Sequence, residues 1–172
     1  MRIYSSGIQV DHRQAYPSIS MPPSAPRPRL ADDSITVCIE RYNCGNSEPR
    51  ERKRFFDTYR VRQLGVSNAS ERMRSMHAGP PRFCLEPHGD YMVVDHENGR
   101  FLVMPRFGLH LTDMHLAPGG MGEVFTCEAY QQTTSIHTCR LVAPAIFQQM
   151  ETGAWRLQTS GKLFLTPAIP SP

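Results

Sequence analysis

Apolar and polar residues alternate in several short runs of the chain, and this pattern predicts β-strands. Two such runs, Tyr91–Asp95 and residues 100–104, flank the dipeptide Asn98-Gly99. Asn-Gly supplies the positive φ angles of a tight hairpin turn, so the two runs are predicted to pair as a hairpin. Further strands are predicted over residues 35–41, 109–112, 123–130 and 135–142, and a terminal hairpin over residues 154–159 and 162–166.

Three helices are predicted from the residues at their boundaries. The first covers residues 49–64, because Pro49 suits the first position of a helix. A second, short helix covers residues 67–77, between a Ser or Asn cap and a pair of prolines. A third covers residues 144–152, with a proline at its start and a glycine after its end. The predicted class is α+β, with two N-terminal helices packed on a mainly antiparallel sheet and one further C-terminal helix.

Residues 1–34 show no sustained periodicity and contain six Ser and five Pro. Such a segment buries too little apolar surface to offset the entropy lost on ordering, so we predict a disordered leader and a candidate secretion signal. Residues 35–168 are enough for one hydrophobic core and are predicted to form a single α+β domain. A flexible tail is predicted at residues 169–172.

The apolar runs are much shorter than the roughly 18 residues of a membrane-spanning helix, so no membrane span is expected. The first ten residues also lack the apolar core of a Sec-type signal peptide. Export by the general secretion pathway is therefore not expected.

Arginine dominates the basic residues, with 17 Arg against two Lys at a net charge of +3. Arginine binds phosphate and carboxylate through paired hydrogen bonds, so the bias is compatible with a polyanionic partner, although a GC-rich coding sequence produces the same bias. The candidate polyanion-binding residues, on one face of the first predicted helix, are Arg50, Lys53, Arg54 and Arg60. Acidic residues interrupt this face, which favours a solvated surface over nucleic-acid binding.

The five cysteines are odd in number and irregularly spaced along the chain. This pattern is typical of free thiols in a reducing compartment, and it fits neither a disulfide framework nor a zinc site. The closest histidine pair, His110 and His115, has a spacing that matches neither one face of a helix nor one face of a strand. No metal and no cofactor are predicted.

A thiol-dependent enzyme is one interpretation of Cys44. The residue is predicted to lie in a polar turn before a helix, where the helix dipole would favour the thiolate. His88 could act as the base, with Asp95 or Asp113 as the group that orients it. His88 and Asp95 flank a single predicted strand, however, whereas such enzymes usually carry the acid on the neighbouring strand. Whether the protein is an enzyme is therefore left open.

Residues 119–125, with the sequence GGMGEVF, resemble the phosphate loop of bacterial Ser/Thr kinases. The next lysine along the chain is Lys162, and the other kinase motifs are absent from the sequence. We therefore predict a glycine-rich turn that enters a strand.

The first seven residues, MRIYSSG, resemble the opening of the AvrPphE family of type III-secreted effectors of plant-pathogenic bacteria, with matches at positions 1, 2, 3, 5 and 7. Leaders of such effectors are rich in Ser and Pro, and this one has no acidic residue before Asp11. The family carries a Cys-His-Asp triad with its nucleophile in an Asn-Cys-Gly-Glu-His-Ala setting. Here Asn43-Cys44-Gly45 matches, and the next three residues differ. The resemblance implies delivery into a host cell but not the chemistry of the family.

The favoured function is a bacterial effector that a type III secretion system delivers from the bacterial cytoplasm into the host cytosol, where it binds a host protein. A secretion chaperone bound to the leader is a further candidate partner. Two alternatives stay open. One is a thiol-dependent enzyme that uses Cys44, and the other is a non-exported small nucleic-acid-binding or regulatory protein.

Overall fold

The computed structural model describes residues 32–75, 79–116, 120–130 and 136–168. Its helices are α1 (Asp32–Ser47), α2 (Pro49–Thr58), α3 (Ala69–Arg74) and α4 (Asp113–Leu116), with 3-10 turns at Glu97–Gly99 and Met121–Glu123. Its strands are β1 (Val61–Val66), β2 (Phe83–Leu85), β3 (Tyr91–Asp95), β4 (Arg100–Pro105), β5 (Phe125–Glu128), β6 (His137–Ala143), β7 (Ala145–Gln149), β8 (Trp155–Thr159) and β9 (Gly161–Pro167). Residues 1–31 of the predicted leader and the predicted tail lie outside the described residues.

Six of these strands form a closed antiparallel barrel in the order β1-β2-β8-β7-β4-β3. The barrel closes because β1 pairs with β2 on one side and with β3 on the other. Every barrel strand thereby has two hydrogen-bonded neighbours, which removes the free edges of an open sheet. The other three strands form a separate sheet in the order β5-β9-β6, in which β5 and β9 are parallel.

The predicted α+β class, with two N-terminal helices packed on a mainly antiparallel sheet and a further C-terminal helix, is wrong. The described part of the chain is mostly β, and two segments predicted as helix supply barrel strands. Residues 61–64 begin β1, and residues 144–152 contain β7. Helical propensity is overridden in both, because strands on either side satisfy the backbone and bury Leu64 and Phe147.

Residues 35–41, predicted as a strand, belong instead to α1. Their apolar residues also recur at helical spacing, since Ile35, Cys38 and Tyr42 are separated by three and four positions. Cys38 and Tyr42 are almost fully buried on this face, whereas Val37 from the alternating pattern is exposed. Packing of α1 against α2 and β6 thus selects the helical period.

Several local predictions are confirmed. β3 and β4 form the hairpin around Asn98 and Gly99, which have φ angles of 55° and 71°. α2 begins at Pro49, and α3 follows an Asn68 N-cap. The glycine-rich segment enters β5 through a 3-10 turn, as predicted for its described residues.

The strand pairing in the C-terminal part differs from the prediction. β8 and β9 both exist, but they do not form a terminal hairpin. β8 pairs with β2 and β7 in the barrel, whereas β9 lies between β5 and β6 in the other sheet. The strand predicted at residues 109–112 is reduced to an isolated bridge between Leu111 and His137.

An aromatic cluster attaches α1 and α2 to the barrel. Tyr42 stacks on Phe107 with ring centroids 5.1 Å apart, and Phe55 meets the Phe107 ring edge-on at 5.2 Å. The buried Tyr42 hydroxyl donates a hydrogen bond to the Pro105 carbonyl at 3.0 Å. This bond links α1 directly to the end of β4.

Buried thiol and phenol groups make the fold sensitive to alkaline pH. Burial raises the pKa of Cys38 to about 12 and that of Cys139 to about 11, and it raises the pKa of Tyr42 well above 10.0. The folded chain therefore holds these protons at pH values where the unfolded chain, with thiol pKa values near 9.0, releases them.

We expect the contribution of these groups to the free energy of unfolding to be constant below about pH 8 and to fall as the pH rises from about 9 to 12. Urea denaturation at neutral pH and at about pH 10.5 measures this difference. Cys38→Ala removes one of the ionisable groups and should reduce the pH dependence. Equal stability of the parent protein at both pH values would contradict the expectation.

Candidate ligand-binding cleft

Cys44 does not occupy the position predicted for it. It lies within α1, three residues before the helix ends at Ser47, and its side chain is exposed. The C-terminal end of a helix carries the negative pole of the helix dipole, so the expected support for a thiolate from a helix N-terminus is missing. The predicted placement is wrong, and a catalytic role for Cys44 stays a prediction.

His88 and Asp95 lie at opposite ends of β3. His88 precedes the strand and Asp95 ends it, and five extended residues alone span roughly 13 Å. The Asp95 carboxylate accepts a hydrogen bond at 2.7 Å from an arginine of β1, Arg62. Asp113, the other candidate acid, accepts a hydrogen bond at 2.6 Å from the Tyr130 hydroxyl. Both carboxylates therefore have partners other than His88.

The Asn43-Cys44-Gly45 string has a structural explanation in the contact between α1 and its neighbours. The Asn43 amide donates to the Leu141 carbonyl and accepts from the Leu141 N–H, both at 2.9 Å, as a neighbouring strand would. Gly45 is buried, and a Cβ there would lie 3.1 Å from the Phe107 ring. The asparagine thus bonds α1 to β6, and the glycine allows α1 to pack closely on Phe107.

The four candidate polyanion-binding residues are exposed, and Arg50, Lys53 and Arg54 lie at the i, i+3, i+4 spacing of one face of α2. Lys53 pairs with Asp57 at 3.0 Å and Arg54 pairs with Glu51 at 2.6 Å, one turn away in α2. Arg60 lies beyond the end of α2, and Arg50 lies near its start. The acidic neighbours reduce the positive potential of this surface. Polyanion binding here stays a prediction.

A cleft of about 810 Å³ lies where β1 ends and β3 begins. Its walls are the end of β1, one face of α3, the loop between β2 and β3, and short stretches near residues 112–115 and 120–121. The apolar lining includes Val66, Ala69, Met73, Tyr91 and Met121, and the polar lining includes Ser70, Glu86, His88, Asp90, Thr112 and His115. A cleft of this size, with apolar walls and a few polar groups, is typical of ligand-binding sites.

Two glycines allow the β2–β3 loop to lie directly against β1. A Cβ on Gly89 would lie 2.7 Å from the Gly65 nitrogen and closer still to the Leu64 carbonyl. A Cβ on Gly65 would lie 2.7 Å from the carboxyl carbon of Glu86 and closer still to Oε2 of that carboxylate. The Glu86 carboxylate is therefore held over the bare backbone of Gly65, at the wall of the cleft.

α3, which contributes Ala69, Ser70 and Met73 to the cleft lining, is fixed in place by polar contacts. The buried Asn68 side chain accepts a hydrogen bond from the Arg82 N–H at 2.9 Å and donates one to the Pro80 carbonyl at 3.1 Å. Arg72 of α3 forms an ion pair with Glu123 in the 3-10 turn before β5. These contacts join three segments that are distant in sequence and keep the apolar face of α3 towards the cleft.

The cleft has a negative electrostatic character. The described residues that line it include the carboxylates of Glu86 and Asp90, and none of these lining residues is Lys or Arg. Burial raises the pKa of Tyr91, and the negative charges of Asp90 and Glu123 raise it further. The Tyr91 phenol therefore lies in a negative potential that disfavours loss of its proton. The same potential disfavours an anionic ligand in the cleft.

His115 presents a hydrogen-bond donor in this setting. Its Nδ1 accepts a hydrogen bond from the Thr112 backbone N–H at 3.2 Å and lies 2.9 Å from the Thr112 hydroxyl. A nitrogen that accepts carries no proton, so the neutral ring holds its proton on Nε2.

In the described ranges, no group of three or more His, Cys, Asp or Glu side chains is arranged to hold a metal ion.

Sequence reasoning identified His88 in this cleft but missed the other polar residues. Residues 86–90 read EPHGD, and three ionisable side chains around a proline and a glycine between two strands are a detectable loop signal. No comparable signal marked His115, because its place in the cleft depends on how residues 112–115 pack against a distant strand end.

The sequence matches no protein-family model, and comparisons with curated proteins and with solved structures find no match. None of the helices in the described ranges is both long and apolar enough to cross a membrane.

Proposed function

We propose that the protein is a bacterial effector that a type III secretion system delivers into the host cytosol, where its folded body binds a host protein. The binding part rests on one observation, the cleft of about 810 Å³ between the barrel and α3. Apolar walls with converging polar groups suit recognition of a ligand. Because His88 and Asp95 lie at opposite ends of β3, binding is preferred over thiol catalysis.

Delivery is supported by the leader sequence, which resembles the opening of known type III effectors at five of its first seven positions. The cysteines support it as well, since all five are free and folding in a reducing cytosol needs no disulfide. The low lysine content limits the sites for ubiquitin attachment in a host cell, although base composition accounts for it equally well.

A reporter enzyme fused to residues 1–34 tests delivery. We expect the reporter to enter plant cells from a bacterium with a working type III system and to stay outside them in a secretion-null mutant. A fusion that lacks residues 1–10 is the matched control and should not be delivered. Equal entry from both strains, or no entry from either, would reject the effector proposal and favour a non-exported regulatory protein.

A further inference from the structure

The cleft beside α3 carries negative charge that its own surroundings do not neutralise. In the described part of the chain, no Lys or Arg lies within ion-pair distance of Glu86. Asp90 is 3.9 Å from Arg106, and both side chains are nearly half exposed, so water weakens this pair. A ligand with a positive group would gain an attractive interaction that a neutral or anionic ligand lacks.

Another part of the cleft lining is apolar and adaptable. Ala69 and Met73 of α3 form it together with Met121, and 68% of Met73 is exposed to solvent. Methionine adjusts its shape to different partners, and the methylene stem of a long basic side chain packs well on such a surface. The cleft therefore combines an apolar surface with the carboxylates of Glu86 and Asp90.

The volume of the cleft indicates what the positive group is attached to. About 810 Å³ is far more than one ammonium or guanidinium group fills, and it is within the range of sites that bind drug-sized ligands. The Ser70 hydroxyl and Nε2 of His115 are available for hydrogen bonds to a peptide backbone, because the contacts of His115 with Thr112 involve only its Nδ1.

We infer that this cleft binds an arginine or lysine side chain presented by a peptide segment of a partner protein. The stem lies along α3 and Met121, and the charged end lies between Glu86 and Asp90. The inference rests on the proposed function, because it specifies the chemistry by which the folded body would recognise its host partner.

Blocked tripeptides provide the direct test with the full-length chain. The probes are acetyl-Ala-Arg-Ala-amide and its lysine equivalent, and the neutral control is acetyl-Ala-Gln-Ala-amide. With the protein labelled with ¹⁵N, we expect both cationic peptides to shift the amide resonances of Gly65 and Gly89 saturably. The glutamine peptide should bind at least about tenfold more weakly.

Two variants test the role of the carboxylate. Glu86→Gln removes the charge at constant size and, because the Glu86 side chain is exposed to solvent, should weaken peptide binding by up to about fivefold. Gly65→Ala displaces the flexible end of Glu86 without removing the charge, and it should also weaken binding. Glu97→Gln, in the turn at the other end of β3, is the matched control and should bind as the parent does. Thermal unfolding of each variant verifies that it is folded.

Three outcomes would overturn the inference: equal binding of the glutamine peptide, no response at Gly65 and Gly89, or undiminished binding by a folded Glu86→Gln variant. Binding of spermidine without binding of either peptide would also overturn it, in favour of a small-amine site. The delivery test is independent. A reporter that enters host cells while the peptides fail to bind rejects only this inference, and peptide binding without reporter delivery rejects only the effector proposal.

Discussion

Gly89→Ala is expected to lower the free energy of unfolding by roughly 3 kcal/mol. The added Cβ would lie 2.7 Å from the Gly65 nitrogen and closer to the Leu64 carbonyl, so it meets backbone atoms that cannot rotate away. The β2–β3 loop would have to move off β1 to relieve the contact. That movement would also displace the Glu86 carboxylate, so the variant should lose peptide binding as well as stability.

Chemical denaturation of the parent and the variant measures the stability loss directly. Gly99→Ala is the matched control, because Gly99 has a φ of +71° but no neighbouring atom within 4 Å of an added Cβ. The control should lose only about 1 kcal/mol, from the left-handed backbone conformation. Gly89 itself has no positive φ, so equal losses in the two variants would contradict the expectation that the close approach of the loop to β1 dominates at Gly89.

Asn43→Leu is expected to lower the free energy of unfolding by roughly 2–3 kcal/mol. The substitution removes both hydrogen bonds between the Asn43 amide and the Leu141 backbone, each 2.9 Å long. Leucine has a similar volume, so the side chain still covers the N–H and carbonyl of Leu141 but offers them no partner. Leaving these two part-buried groups unsatisfied is the main source of the cost.

The adjacent Cys44→Ala variant is the control for this prediction, because the Cys44 side chain is exposed on the same helix. It should change the stability by less than about 0.5 kcal/mol. Amide hydrogen exchange at Leu141 adds a local measurement, since loss of its acceptor should speed exchange at that position. An Asn43→Leu variant as stable as Cys44→Ala would contradict the proposed attachment of α1 to β6.

The strand prediction over residues 35–41 shows why local patterns mislead here. Apolar residues in and next to this segment recur both at every second position and at helical spacing. The pattern alone therefore does not decide between a strand and a helix. Burial of Cys38 and Tyr42 against α2 and the aromatic cluster decides for the helix. The same applies to residues 145–149, where pairing with β4 and β8 overrides a plausible helix start at Pro144.

The candidate site was predicted only in part, for a related reason. His88 was identified as a functional candidate, but its predicted partners, Cys44 and Asp95, lie on α1 and at the far end of β3. It lines the cleft together with residues of α3 and His115, which are distant in sequence. Spacing along the chain carries no information on such neighbours.

The sequence by itself determined the features that a few adjacent residues control. Asn98 and Gly99 turn the β3–β4 hairpin because they tolerate positive φ angles, and Pro49 begins α2 because its fixed φ suits a first helical turn. Only the tertiary structure decided the closed barrel, the separation of β8 from β9 and the assembly of the cleft. The physical reason is that strand pairing and burial depend on hydrogen bonds and contacts between distant segments, and their energies outweigh the small conformational preferences of single residues.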